Sequence, residues 1–243
     1  MTQIKQNKSL LCADGGTMKN RRTFIKYLTT GWVGFGTLSC SNLFAKQSNE
    51  QDKKVYKKTH FGMIFDQNKC VGCTDCEKAC KKVNLVPKDQ MRLYVEDKTD
   101  PNNKAEKRYV RVSCQQCVDA PCVKVCPTKA CHKDTLTGIT TTNMDDCIAC
   151  KYCIVACPYD VRFINKETKS AESCNFCLDT NLKNGLEPAC VEACKYDALV
   201  FGDLNDEEAH ISKLLKVKDS VRMRPECGTN PSLRYIPVVK LGV

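Results

Sequence analysis

Cys147-Ile148-Ala149-Cys150-Lys151-Tyr152-Cys153-Ile154-Val155-Ala156-Cys157-Pro158 is the stretch on which the reading of this chain turns. Its cysteines are separated by two, two and three residues and are followed by proline. The same spacing, without the proline, recurs at Cys70, Cys73, Cys76 and Cys80. Two looser versions keep the plan. Cys114, Cys117, Cys122 and Cys126 precede Pro127, with Asp119-Ala120-Pro121 taking up the extra length. Cys174, Cys177, Cys190 and Cys194 enclose a wider loop from Leu178 to Ala189, and Lys195 stands where the proline would be. Sixteen of the 20 cysteines therefore fall into four groups of four, all ending Cys-x3-Cys.

A disulfide framework does not require such regularity. One Cys-x2-Cys pair would suit a zinc site made of four thiolates, but four quartets with a common ending make zinc a poor rival. The run Cys-x2-Cys-x2-Cys-x3-Cys-Pro is that of bacterial ferredoxins, where three close thiolates hold one [4Fe-4S] cluster and the fourth serves the other cluster of a pair. The spacing predicts a tight loop around three irons and a fourth cysteine that opens a short helix aimed at the neighbouring cluster. Proline suits that turn, having a fixed φ and no donor to leave unmet. Four [4Fe-4S] clusters are expected. Cys12, Cys40, Cys131 and Cys227 are left over and receive no ligand role; a free cysteine is most often a small buried apolar residue.

The formal net charge of +10 invites a nucleic-acid or membrane-surface reading, which weakens on counting. Residues 1–45 hold six basic side chains and one acidic, leaving 32 basic against 27 acidic in residues 46–243. A [4Fe-4S] core with four thiolates carries about −2 when oxidised, so four would cancel that excess. The basic balance thus reads as compensation for buried anions, and no nucleic-acid partner is expected. His60, His132 and His210 are scattered singly and read as structural or exposed. No phosphate-binding glycine loop, nucleotide fingerprint or nucleophile with a base is present, so the chain is read as a non-catalytic subunit.

Residues 1–45 differ in kind from the rest. Lys19-Asn20-Arg21-Arg22-Thr23-Phe24-Ile25-Lys26 precedes an uncharged, weakly apolar run from Tyr27 to Phe44. That profile is of a signal peptide of the twin-arginine type, with Met18 as an alternative start and cleavage after Ala45. The run is too short and too polar for a comfortable membrane span. Leu38-Ser39-Cys40 offers lipidation at Cys40, against which stands Thr37 where a lipoprotein signal prefers Leu. Export in the folded state suits clusters assembled from thiolates that a reducing cytoplasm keeps free. A periplasmic location follows as an expectation.

Short apolar runs precede the cysteine loops: residues 61–65 before Cys70, 108–112 before Cys114 and 138–142 before Cys147. They read as strands, as does 198–202 after Cys194. The expected fold is α+β, built of tandem bacterial-ferredoxin-like modules in which short antiparallel hairpins, cysteine loops and short helices surround four clusters. Residues 46–204 form this domain and 205–243 a C-terminal helix and tail, with Asn205 as helix cap and Ile211, Leu214 and Leu215 on one face. The charged segment between Cys80 and Arg108, with Asp97-Lys98-Thr99-Asp100-Pro101-Asn102-Asn103, reads as a solvated loop.

The whole layout from Cys70 to Cys194 resembles the four-cluster subunits of bacterial respiratory oxidoreductases, and most of all the iron-sulfur subunit of the periplasmic formate-dependent nitrite reductase pathway. Cys147-Ile148-Ala149-Cys150-Lys151-Tyr152-Cys153, the run from Ala156 to Ile164 and Gly228-Thr229-Asn230-Pro231 carry the resemblance. It implies that the outer groups exchange their last cysteines and the inner groups do likewise. One cluster then takes Cys70, Cys73, Cys76 and Cys194, and its mate Cys174, Cys177, Cys190 and Cys80. Of the inner pair, one takes Cys114, Cys117, Cys122 and Cys157, and the other Cys147, Cys150, Cys153 and Cys126. Lys195 departs from the usual proline, which puts the firmness of that turn in doubt. The resemblance further implies an electron relay from an integral membrane quinol dehydrogenase, through which the chain is membrane-associated, to a multihaem cytochrome c nitrite reductase. The nearer alternative is a molybdopterin reductase of polysulfide, thiosulfate or tetrathionate; the farther is a protein whose clusters are only structural.

Overall fold

The computed structural model describes residues 58–103 and 107–238. The signal read in residues 1–45, with Arg21, Arg22 and Cys40, lies outside them. Regular structure is sparse and short, because the cysteine loops interrupt the chain every few tens of residues. In order come β1 (Phe61–Asp66), α1 (Asp75–Val83), β2 (Leu93–Asp97), β3 (Tyr109–Ser113), α2 (Pro121–Lys124), β4 (Cys131–Lys133) and β5 (Thr140–Thr142). There follow α3 (Tyr152–Val155), β6 (Phe163–Ile164), β7 (Ala171–Glu172), α4 (Ala189–Glu192), β8 (Leu199–Asp203), α5 (His210–Val217) and β9 (Leu233–Ile236). This is the α+β mixture of small helices and short sheets found in ferredoxin-like iron-sulfur domains. Among the described residues, no helix is long and apolar enough to cross a membrane.

The largest sheet joins the start of the described chain to its end. β1 is its centre, antiparallel to β8 from Phe61↔Asp203 to Phe65↔Leu199 and parallel to β9 from Met63↔Leu233 to Asp66↔Ile236. The parallel partner is a departure from the all-antiparallel hairpins expected. β1 is buried at every position but the first because it is the central strand and both of its faces are covered, one by the cysteine-rich core and the other by α5. Met63 and Phe65 face the cysteine-rich core with Leu199, Leu233 and Tyr235. Ile64 faces the other way, onto Ile211 and Ile236, where Leu214 and Leu215 of α5 also pack. That helix comes so close that a Cβ on Gly202 would lie 2.8 Å from Ile211 Cγ2, which is why a glycine stands there.

Two expectations from local sequence give way here. Asn205 does not cap α5, whose N-cap position is Ala209. Asp203 and Asp206 accept backbone N–H groups two residues on, from Asn205 and Glu208, so a run of turns postpones the helix. The Asn205 amide instead donates to the Lys58 carbonyl at 3.1 Å. The segment between Cys80 and Arg108 is also only partly loop. α1 continues to Val83, and β2 pairs with β3 from Leu93↔Ser113 to Asp97↔Tyr109, leaving residues 98–103 as the exposed turn. Leu93 is buried because it packs into the same core as the cysteines. β4 pairs with β5 and β6 with β7, each a two-stranded ladder.

Candidate metal centres

All four cysteine groups wind the same way. The residue before each second cysteine (Gly72, Gln116, Ala149, Phe176) has positive φ, between 49° and 73°. Only at Gly72 is this free of steric cost, and there a Cβ would also strike the Tyr109 ring at 2.4 Å. Three side chains held in a strained conformation at equivalent positions show that the surroundings fix these loops firmly.

The third and fourth cysteines then divide between cavities. The fourth does not open the helix. Cys76, Cys122, Cys153 and Cys190 lie within α1, α2, α3 and α4, while Cys80 is one turn on within α1 and Cys126, Cys157 and Cys194 lie just past the other three. Placing the third cysteine inside the helix lets a four-residue step carry the fourth across to the next cavity. Each of four cavities, between 250 and 370 Å³, is lined by four of the sixteen cysteines. Cys70, Cys73, Cys76 and Cys194 line the first; Cys80, Cys174, Cys177 and Cys190 the second. Cys114, Cys117, Cys122 and Cys157 line the third; Cys126, Cys147, Cys150 and Cys153 the fourth. Their similar size and donor set point to one kind of occupant. Among the described residues, no three His, Cys, Asp or Glu side chains converge as they would on a single metal ion. Thiolate donors around a cavity of this kind fit an iron-sulfur cluster.

The cavities form a series. α1 joins the first to the second through Cys76 and Cys80, and α2 joins the third to the fourth through Cys122 and Cys126. The second and third meet where Gln116, between Cys114 and Cys117, donates to the Cys174 carbonyl at 2.7 Å. Burial is greatest in the middle. All four cysteines of the second cavity are buried and three of the third, whereas Cys73 is exposed and the other three of the first are half-buried. Of Cys126, Cys147, Cys150 and Cys153 in the fourth, only Cys153 is buried.

Burial pushes the thiols up, Cys76 to about 11 and Cys114 and Cys190 to about 12, so these sulfurs become anions only when a cation is at hand. Donors are already aimed at several sulfurs. The Asn84 amide reaches Cys177 Sγ at 3.3 Å, and the backbone N–H groups of Ala171 and Cys131 reach Cys147 and Cys126 at 3.3 and 3.4 Å. Such bonds hold ligands in place and tune a cluster. Cys131, given no role from the sequence, is buried in the wall of the fourth cavity. Cys227 is exposed. His60 bonds Ser232 Oγ at 2.9 Å and His132 the Ala130 carbonyl at 2.9 Å, while His210 starts α5; none lines these cavities.

The doubt over Lys195 is resolved by the turn itself. Lys129, Asp160 and Asp197, each three residues past a fourth cysteine, all have positive φ and return an N–H to that cysteine's carbonyl at 3.3 to 3.4 Å. Lys195 occupies the same place in this turn as Pro127 and Pro158. Lys195→Pro is therefore expected to stabilise the folded chain by about 0.4–1 kcal/mol through the unfolded state, measured as a rise in the thermal midpoint.

Arg111 and Arg162, which sequence reading passed over, are buried beside the sulfurs; only long-range packing reveals them. Burial pulls both guanidiniums down, but the neighbouring cysteine sulfurs outweigh it and they remain charged.

A profile of the 4Fe-4S dicluster domain matches residues 105–204. A Protein NrfC homologue of Haemophilus influenzae is 44% identical over 224 residues, 91% of this chain and 96% of its own. The B subunit of polysulfide reductase from Wolinella succinogenes is 44% identical over 186 residues, 75% of this chain and 97% of its own. The thiosulfate reductase electron transfer subunit PhsB of Salmonella typhi is 45% identical over 149 residues, 60% and 77% of the two proteins. With four cysteine-lined cavities of one kind and this likeness along most of its length, the chain belongs to the NrfC family of 4Fe-4S proteins.

Proposed function

We propose that the chain is the electron-transfer subunit of a respiratory reductase complex on the periplasmic side of the bacterial inner membrane. It would hold four [4Fe-4S] clusters in two ferredoxin-like pairs, with the sixteen cysteines as ligands in the sets that line the four cavities. The single observation that carries this reading is the series of cavities, enclosed in the middle and open at both ends. When bound, the clusters supply one-electron oxidation and reduction.

The chain's own residues do the rest. The helices α1 and α2 hold neighbouring sites a single turn apart. Phe176, Leu93, Ile139 and Tyr235 exclude water from the middle of the series. Cys73 and Cys150 leave the two end sites within reach of partners. Export by the twin-arginine route and association with the membrane through a partner belong to this proposal, supported by Arg21 and Arg22 in the leader.

The partners follow from the resemblance: an integral membrane quinol dehydrogenase as donor and a multihaem cytochrome c nitrite reductase as acceptor. The polysulfide and thiosulfate reductase relatives support a second reading, in which the acceptor is a molybdopterin reductase. Anaerobically purified protein is expected to carry about sixteen iron atoms; about eight would refute four sites. Cells lacking the gene should lose formate-dependent nitrite reduction while viologen-driven nitrite reduction continues. If both rates survive, the sulfur-compound reading takes over.

A further inference from the structure

We propose that Arg111 and Arg162 are redox-setting cations, each shared by two neighbouring cluster sites and raising the reduction potential of both. This rests on the four-site reading above. Arg111, on β3, is fully buried, and its Nη2 lies 3.9 Å from Cys174 Sγ and 4.0 Å from Cys190 Sγ, in the second cavity. Its cross-strand partner on β2, Val95, lines the first cavity beside Cys76. Arg162, 5% exposed, lines the third cavity beside Cys114 and Cys122, and its Nη2 bonds Thr142, which lines the fourth.

The two are built alike. Arg111 Nη1 donates to Ser113, the residue before Cys114, and Arg162 Nη1 donates at 3.2 Å to Ser173, the residue before Cys174. Arg162 Nη2 also donates to Thr142 Oγ1 at 2.8 Å. Among the described residues, both Nε atoms are buried without a hydrogen-bond partner, and neither arginine makes an ion pair with a carboxylate. Arg92 shows the contrast. It lines the second cavity too, but its charge is met by Glu172 at 3.0 Å.

A guanidinium buried without a carboxylate is costly unless an anion faces it. Here the anions that face it are those of the cavities. Four thiolates with their iron-sulfur core gain one more negative charge on reduction, and a fixed cation beside them in a low dielectric favours the more negative state. The potential therefore rises. One cation shared between two sites raises both together, which keeps neighbouring steps of the relay level.

The test uses the full chain, anaerobically purified, in redox titrations followed by electron paramagnetic resonance. In Arg111→Gln, two of the four couples should show about a tenfold lower ratio of reduced to oxidised cluster at fixed potential, about 59 mV for one electron. Arg162→Gln should move the other two. Arg111→Lys and Arg162→Lys, which keep the charge, should restore most of the shift. The proposal is overturned if iron-replete Gln variants move no couple threefold, if all four couples move alike, or if Lys shifts them as far as Gln. Should a Gln variant fail to load iron, wild-type protein labelled with 15N-arginine decides by pulsed resonance. Nitrogen coupling to the reduced clusters that persists in Arg92→Lys supports the proposal and its absence overturns it. A wild-type iron content near eight instead sinks the four-site reading, a failure visible before any variant is made.

Discussion

Stripping iron from the purified protein with a chelator is expected to abolish its cooperative thermal transition and most of its far-ultraviolet circular dichroism. The largest fully buried apolar side chains are few: Phe176, Met63, Ile64, Ile139, Ile211 and Leu233. Around them cysteine is the commonest residue of the core. Without the clusters, the sixteen cysteines that line the four cavities lose the ligand that ties their loops together, and in small metal-binding domains the free energy of binding is free energy of folding. Among the described residues no helix is longer than the nine residues of α1, too short to persist alone. An iron-free protein that still melts cooperatively would show that the apolar residues suffice.

The second large effect concerns which cysteine serves which site. Cys80 lies in the first sequence group but lines the cavity of Cys174, Cys177 and Cys190, whereas Cys194, from the last group, lines that of Cys70, Cys73 and Cys76. Cys80→Ser is therefore expected to remove or alter the same resonance signal as Cys177→Ser, and Cys194→Ser the same signal as Cys73→Ser. Each loss should amount to about four irons or conversion to a three-iron cluster. If Cys80→Ser instead shares its signal with Cys73→Ser, each group holds its own cluster and the crossed sets are wrong.

The cysteine positions were legible because metal-ligand spacing is local and repeats, and the four strand runs because β-branched and aromatic residues cluster before three of the loops and after the last. What eluded the sequence depends on distant partners. Leu93 to Asp97 is ordinary as a string and becomes a strand only by pairing with Tyr109 to Ser113. Leu233 to Ile236 lies about 170 residues from the strand it joins in parallel, a pairing that no local pattern announces. Arg111 looks like an outward-facing residue of an alternating strand, and only the folded chain turns it toward Cys174 and Cys190. Asn205 shows the opposite error, a good cap residue overruled by the turns at Asp203 and Asp206.

The pairing of β1 with β8 and β9 also dictates an order of assembly. Every cysteine lining the third and fourth cavities has been synthesised once Cys157 emerges from the ribosome. The first cavity has to wait for Cys194, and the second for Cys190, both more than a hundred residues after the group that opened them. Closing so long a loop is slow, and the flanking sheet that would hold it shut awaits β9 near the very end. A translation product cut short before Cys174 can therefore close two of its cavities and never the other two. Completion of the outer pair thus reports, in iron, that synthesis has passed Cys194.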